Sequence, residues 1–380
     1  MRLTLTEEQQ ELSTMLRHLF ADACRPALVR RMKEPDSDGI PAELWSTLAK
    51  SGVFGIAVDG RYGGEDAGLF ELGLVFAEAG RALCPTAVYD TLLFAVAVQR
   101  LASEEQRAGL LPRVVGGELR GTAAISNPSD AGDLRPRLTA ERTGGGWSLS
   151  GTLMFVGNGN TGGTILVTAR TAAFPEPSRV IGVLVDPARQ GVEATPLHTF
   201  AGDKQTRLEL RDYLATDAEV LAGPDGDGLR GDDLVWASNA FVALQCMEMV
   251  GGATAVLERT VEYVKVREQF NRPIASFQAA QHHVANMRIA IEGARLAAAQ
   301  AVWWLGQGDL ARRAVAIAKM HASEAYKWTT LNAHQLHGGM GYVRETDLHL
   351  WSERAKVTEI KGGTADIAAG WLQRELGLAR

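Results

Sequence analysis

Few cysteines, no long apolar run and none of the common nucleotide, metal or hydrolase signatures characterise this 380-residue chain. Its three cysteines, Cys24, Cys84 and Cys246, lie far apart with no CxxC spacing. That excludes a disulfide framework or zinc cluster and points to a reducing compartment. No run of ~18 apolar residues predicts a membrane span. The opening MRLTLTEEQQELSTM has no apolar core of a secretory signal, so a cytoplasmic location is expected. A formal net charge of −6 exerts no general pull toward nucleic acid or anionic membrane. The GxGxxG strings GNGNTG (157–162) and GDGLRG (226–231) do not sit in βαβ units, and no P-loop, GxSxG or HExxH occurs, which removes Rossmann, P-loop, hydrolase-elbow and zincin readings. Of the eight histidines, His282 and His283 are adjacent and His334 and His337 three apart. Neither pair has acidic partners at ligand spacing, so no metal site is expected.

What remains is ordinary globular material, 46% hydrophobic and 22% charged, long enough for two or three domains. The first 120 residues read as helical. Thr6 with Gln9 and Ser103 with Gln106 form capping-box patterns. AELWSTLAKSGVFGI and LFELGLVFAEAGRAL carry apolar residues three and four apart, with DGRYGGEDAG (59–68) as the loop between them. From Gly121 the period changes to short β-branched runs, WSLSG, TILVTAR, VIGVLVD, GVEATPL and TRLELRDY, which predict an antiparallel, barrel-like β domain. AGPDGDGLRGDD (222–233) reads as a polar linker, followed by long helical stretches near 234–266, 277–306 and 309–336. The predicted class is α+β, mostly α, with domains at 1–120, 121–230 and 231–380.

Two segments could carry chemistry. In VREQFNRPIASFQAAQ (266–281), Arg267 and Arg272 flank an aromatic ahead of Pro273. The turn can hold a phosphate-bearing ligand or be a helix corner with solvated arginines. In QLHGGMGYVRE (335–345), three glycines in four positions allow backbone amides to approach a ligand after a long helix. Gly338 alone also serves as a helix C-cap.

Together these segments resemble the C-terminal signatures of the acyl-CoA dehydrogenase family. VREQFNRPIASFQAAQHHVANM is similar to that family's Arg-x-x-Phe-Gly-x-x-Ile block, and QLHGGMGYVRETDLHLWSERAKVTEIKGGTADI to its Gln-x-x-Gly-Gly-x-Gly block and the segment that follows. YGGEDAGLFELGLVFAEAGRAL resembles the N-terminal helical domain, and WSLSGTLMFVGNG the β segment whose family form ends Trp-Ile-Thr-Asn-Gly. The resemblance implies a helical domain, a β domain and a four-helix bundle, with FAD at a dimer interface in a tetramer. It also implies an acyl-CoA substrate, α-proton abstraction by a carboxylate, hydride transfer to flavin N5, and an electron-transfer flavoprotein or similar acceptor.

The chain departs from that pattern where its own chemistry would sit. The family's Tyr-Glu-Gly-Thr, whose Glu is the base, corresponds to Lys361-Gly362-Gly363-Thr364, so Gly362 stands at the base position. The alternative location of the Glu in some members falls at Phe241. The Thr that supports flavin N5 falls at Gly157, and the Thr-Glu-Pro-Gly-x-Gly-Ser-Asp loop becomes Ser126–Asp133. Ser126 and Thr364 remain as partial cofactor contacts. Arg267, Phe270, Gln335, Gly338 and Gly339 are retained, and the resemblance implies that these reach FAD held mainly by a neighbouring subunit. The leading expectation is therefore a subunit lacking the usual base in an α2β2 acyl-CoA dehydrogenase, resembling the sterol side-chain type (DLHLWSERAK), whose partner supplies the Glu. A self-sufficient flavoenzyme is the first alternative, either a monooxygenase or one with a relocated base. Glu248 is the candidate base, seven residues beyond Phe241 on the same helix face but roughly 10 Å along the axis. A non-enzymatic scaffold or CoA-ester binding oligomer is the second.

Overall fold

The computed structural model describes residues 4–172, 179–221, 223 and 228–378. Six helices come first: α1 (Glu7–Ala23), α2 (Pro26–Lys33), α3 (Ala42–Lys50), α4 (Leu69–Arg81), α5 (Thr86–Leu101) and α6 (Glu104–Val115). Both expected capping boxes form. The Thr6 and Ser103 hydroxyls accept from the Gln9 and Gln106 amides, and each Gln side chain accepts in return from the cap residue's own N–H.

Eight strands follow: β1 (Gly121–Ala124), β2 (Leu138–Thr143), β3 (Gly146–Gly157), β4 (Thr164–Thr171), β5 (Val180–Val185), β6 (Val192–Leu197), β7 (Gln205–Ala215) and β8 (Val220–Leu221). They form one sheet in the order β6-β7-β3-β2-β4-β5-β8, with β1 beside β4. The pairing is mainly antiparallel as expected, but β4 runs parallel to both β1 and β2. β3 occupies the hairpin position next to β2, so the chain reaches β4 only after reversing twice and returns in the direction of β2. β1 and β2, too short and mixed to stand out in the sequence, complete the sheet.

Residues 222 and 224–227 of the expected linker lie outside the described residues. Its last three, Gly231–Asp233, already belong to α7 (Gly231–Val266); two aspartates in the first turn favour the positive end of the helix dipole. Beyond it come the hairpin strands β9 (Glu268–Gln269) and β10 (Arg272–Pro273), then α8 (Gln278–Gly306), α9 (Arg312–His337), α10 (Leu348–Ile360) and α11 (Ala365–Glu375). α7 is the one described helix long and apolar enough to cross a membrane, but 89% of its apolar window is buried inside the protein, as befits a core helix.

By internal contacts the chain divides into two compact units, Met1–Pro26 with Leu69–Cys84 and Val242–Arg380, and Ala27–Gly68 with Pro85–Phe241. The division falls inside α7. In the second unit, strand residues such as Leu149, Val167, Ile181, Leu208 and Tyr213 form one apolar core. Phe94, Val98, Leu111, Leu166 and Leu234 form another, against which the half-buried Phe241 packs. α5 is tied to β1 by the Thr91 hydroxyl, 3.2 Å from both the Gly121 N–H and C=O. In the first unit, α4 and α7 touch backbone to backbone. A methyl group on Gly80 or Gly251 would collide with the Glu248 or Ala77 carbonyl.

Candidate functional site

The Arg267 hairpin and the Gly338 hook, 71 residues apart in sequence, are brought together at one end of the bundle unit. α7 supplies the clip. Tyr263 stacks on His337 with ring centroids 4.2 Å apart, and its hydroxyl donates to the His337 carbonyl at 3.4 Å. One helical turn earlier, Arg259 donates to the Thr346 carbonyl at 3.0 Å and lies 4.7 Å over the Trp351 ring. Arg267 follows one turn after Tyr263; its N–H donates to Tyr263 O and its carbonyl accepts from Ile274 N, both at 2.9 Å.

The hairpin turn itself is Phe270-Asn271, both left-handed at φ 53° and 61°, the backbone a two-residue type I′ turn demands. Phe270 is 88% exposed, edge-on to Phe277 at 6.2 Å, and Arg272 sits 4.0 Å from the same Phe277 ring. The Arg267 and Gln335 side chains are exposed and have no hydrogen-bond or ion-pair partner among the described residues. α9 ends as its glycines predict. Gly338 N–H donates back to Gln335 O and His334 O, and Gly338 adopts φ 59°, ψ −137°, a conformation almost confined to glycine. A Cβ on Gly338 or Gly339 would meet nothing within 4 Å, so the hook's backbone faces open space. His334 and His337 are structural. Burial lowers both pKa values, keeping the rings neutral at pH 7, and they bond Ser352 Oγ and Ala333 O.

The turn between α10 and α11 is built differently. Gly362 and Gly363 have φ 75° and 121°, and Thr364 caps α11, its hydroxyl accepting from Ile367 N at 3.5 Å. Beneath the turn, fully buried Lys319 donates to Thr358 O (2.7 Å), Lys361 O (2.9 Å) and Gln245 Oε1 (3.0 Å). All three ammonium protons are used on the C-terminal carbonyls of α10 and on α7. Burial lowers the Lys319 pKa to about 8. Glu359 is held by Lys327 (3.0 Å) and Lys356 (2.9 Å). Glu248 is buried and lies 3.4 Å from the Arg354 guanidinium, which also donates to Cys84 O at 3.1 Å. Sequence reasoning passed over Lys319, Arg354 and Tyr263. For Lys319 a signal was available, a single cation within the small-residue run AVAIAKMHA.

In the other unit, a bulge between Leu153 and Val156 puts Phe155 at φ 58° and turns it outward, 51% exposed. Gly157 and Asn158 then face α5. A Cβ on Gly157 would overlap Asp90 Oδ2 and lie 3.0 Å from Asp90 Cγ. Asn158 Nδ2 donates to Asp90 Oδ2 at 2.6 Å and lies 3.3 Å from Thr86 Oγ1. The Ser126–Asp133 loop is closed by Asn127, whose N–H donates to Asp133 O at 2.9 Å and whose Nδ2 donates to Asp133 Oδ2 at 3.3 Å. Hydrogen bonds from Arg135 hold the Asp133 carboxyl far below the usual carboxylate range. Ser126 at its start is half-buried.

These residues fit a dinucleotide unequally. The hairpin and hook offer an unpaired guanidinium, a free amide side chain and open glycine backbone, a donor set suited to a phosphate-bearing ligand. The Gly157 surroundings offer a carboxylate and no room for a donor side chain. No group of three or more metal-binding side chains occurs among the described residues.

Comparison with known proteins points one way. Residues 6–118 match the acyl-CoA dehydrogenase N-terminal domain and residues 241–377 the C-terminal domain. An acyl-CoA dehydrogenase of Bacillus subtilis is 30% identical, over 96% of each chain. A chain in the crystal structure of the ChsE4-ChsE5 complex from Mycobacterium tuberculosis is 29% identical, with a TM-score of 0.88 over 100% of both chains. A variant of the Tcur3481-Tcur3483 steroid ACAD is also 29% identical, with a TM-score of 0.85 over 98% of this chain and 99% of that one.

Proposed function

This chain belongs to the acyl-CoA dehydrogenase family, whose cofactor is FAD, and from that premise we propose that it is the base-deficient subunit of a heteromeric acyl-CoA dehydrogenase. In this reading it completes the FAD site of a second, Glu-bearing family member in an α2β2 assembly and takes no proton itself. FAD supplies the hydride acceptor. This chain supplies Arg267 to a phosphate oxygen, the Gln335 amide to the same dinucleotide, Phe270 as an apolar contact, and the Gly338-Gly339 backbone as a surface a ligand can approach closely.

The observation that carries the reading is that two segments far apart in sequence meet at one exposed end of the bundle unit with the Arg267 and Gln335 side chains unpaired among the described residues. Unused donors clustered on a fixed scaffold favour a ligand or partner. The base position supports the same view, since Gly362 carries no side chain. Glu248, the candidate for a relocated base, faces Arg354 within the bundle; a carboxylate stabilised as an ion pair is a poor proton acceptor. The ChsE4-ChsE5 and Tcur3481-Tcur3483 structures are both named for two chains, and the latter's description as a steroid ACAD favours a bulky acyl-CoA thioester as substrate, with an electron-transfer flavoprotein or similar acceptor.

The test is flavin absorbance and acyl-CoA-dependent dye reduction, first with the chain alone and then co-purified with a Glu-bearing family member. FAD and activity only in the pair are expected. Stoichiometric FAD in the chain alone supports the self-sufficient flavoenzyme, and FAD in neither preparation supports a scaffold.

A further inference from the structure

We propose that Asp90 is the residue that excludes FAD from this chain's own site, by placing a carboxylate in the volume that a donor side chain at position 157 would need. The inference rests on the reading above, that the flavin belongs to a partner, and supplies its physical cause.

Asp90 is the only charged residue between Thr86 and Val98 on the buried helix α5, and is itself only 6% exposed. It is anchored from the sheet, where Asn158 Nδ2 donates to it at 2.6 Å. Asn158 is 8% exposed, and its Oδ1 has no partner among the described residues. That amide has therefore been turned to serve Asp90 at the expense of its own acceptor. Asn158, at φ 51° directly after Gly157, is fixed by its own N–H donating to Lys204 O at 2.9 Å.

The space is fully taken. A Cβ at 157 would overlap Asp90 Oδ2, with Cγ at 3.0 Å and Oδ1 at 3.2 Å, so any side chain at 157 and the carboxylate at 90 exclude one another. Simple loss of a threonine would have left an open cradle that a cofactor or water could still use. Here the cradle is filled with an acceptor. The Asp90 oxygen nearest position 157 acts as an acceptor, taking the Asn158 Nδ2 hydrogen bond, and the reactive edge of an oxidised isoalloxazine presents nitrogen and carbonyl acceptors. Facing acceptors lose a hydrogen bond and add repulsion, which disfavours binding.

The experiment compares the wild-type chain with Gly157→Thr, Asp90→Asn and the double variant Asp90→Ala/Gly157→Thr, each alone and in complex with the Glu-bearing partner. Melting temperature and FAD affinity by flavin fluorescence are read in both states. Gly157→Thr alone should lower the melting temperature, and the double variant should recover it. The double variant alone should bind FAD at least about tenfold more tightly than wild type, the gain equivalent to one hydrogen bond of about 1.4 kcal/mol. Asp90→Asn keeps the side chain's size while turning the acceptor into a donor, so it should show the same gain even if the double variant misfolds. Folded Asp90→Asn with wild-type FAD affinity overturns the inference and leaves the subunit reading intact. A wild-type chain that already retains FAD alone overturns both.

Discussion

The two places where this chain could meet a flavin are built on opposite principles. At the end of the bundle unit, donors are left over. Arg267 and Gln335 are unpaired among the described residues, Phe270 stands 88% exposed, and a Cβ on Gly338 or Gly339 would meet no described atom within 4 Å. Phe270 even holds a left-handed backbone at φ 53°, a conformation costing a non-glycine residue roughly 1–2 kcal/mol. At the α10–α11 turn and beneath Gly157, the opposite holds. Lys319 spends three donors on three acceptors, Glu248 faces Arg354, and Asp90 fills the space beside Gly157. Donors left over in one region, and space filled by the chain's own side chains in the other, distinguish a surface held ready for a ligand from one closed to it.

The comparison breaks most sharply on catalysis. The chain alone should turn over acyl-CoA at least about 10²–10⁴-fold more slowly than its complex, because it lacks the general base and, in this reading, the flavin as well. Gly362→Glu should not repair this. Position 362 sits at φ 75°, so a glutamate there starts with strain of about 1 kcal/mol and next to Lys361, with no flavin held for it to work against. Dye-reduction rates near those of the complex, from either wild type or this variant alone, would mean that the closed region is a working site.

A second prediction tests whether Glu248 belongs to the closed region. If it is half of a buried ion pair, removing either partner leaves an uncompensated charge. Glu248→Gln and Arg354→Met should each then destabilise the fold by about 3–5 kcal/mol, read by urea denaturation. A Glu248→Gln complex that melts normally but loses turnover would instead make Glu248 the base.

Much of this architecture was legible beforehand because local rules agreed with tertiary needs. Both capping boxes, the helix start after Phe277 and the Gly338 cap appear where the sequence put them. β1 and β2 were not legible, since GTAA and LTAERT owe their pairing to β4 and β3 and hardly at all to their own pattern. The site was half legible. Motif spacing singled out the hairpin and the hook, but not that Tyr263 and Arg259 clip them together, because a polar residue on α7 looks the same whether it faces water or another segment. Lys319 and Asp90 escaped for a related reason. Each is a lone charge in an apolar stretch of its helix, and only the partners brought by distant segments give it a role.

The open region predicts a smaller, specific effect. Arg267→Ala in the complex should weaken FAD retention about ten- to hundredfold, matching the roughly 1.5–3 kcal/mol of a hydrogen bond to a charged group. It should leave the chain's melting temperature unchanged, because Arg267 has no side-chain partner among the described residues to lose. Flavin content and reconstitution with added FAD measure the first, and differential scanning fluorimetry the second. A fall in melting temperature without flavin loss would make the arginine part of the chain's own packing.

The smallest effect concerns pH and the lysine under the closed turn. Burial lowers the Lys319 pKa from 10.5 to about 8, so between those values the unfolded chain binds one more proton than the folded one. Stability contributed at this site must therefore rise with pH across that window, by up to about 1.4 kcal/mol per pH unit, and be flat below it, where both states are protonated. Cys246 works the other way. Its thiol is pushed up to about 12 by burial, so above pH 9 the unfolded thiolate draws stability down. The measurement that separates them is the difference between wild type and Lys319→Met, which keeps Cys246 and removes only the lysine. Lys319→Met should be less stable throughout, because Thr358 O, Lys361 O and Gln245 Oε1 lose their donor. The gap between the two should widen from pH 8 to 10, since only wild type gains there. Urea denaturation at half-unit steps would reveal it. Parallel curves would mean that Lys319 titrates near its ordinary value, that water reaches its ammonium, and that the turn is not closed after all.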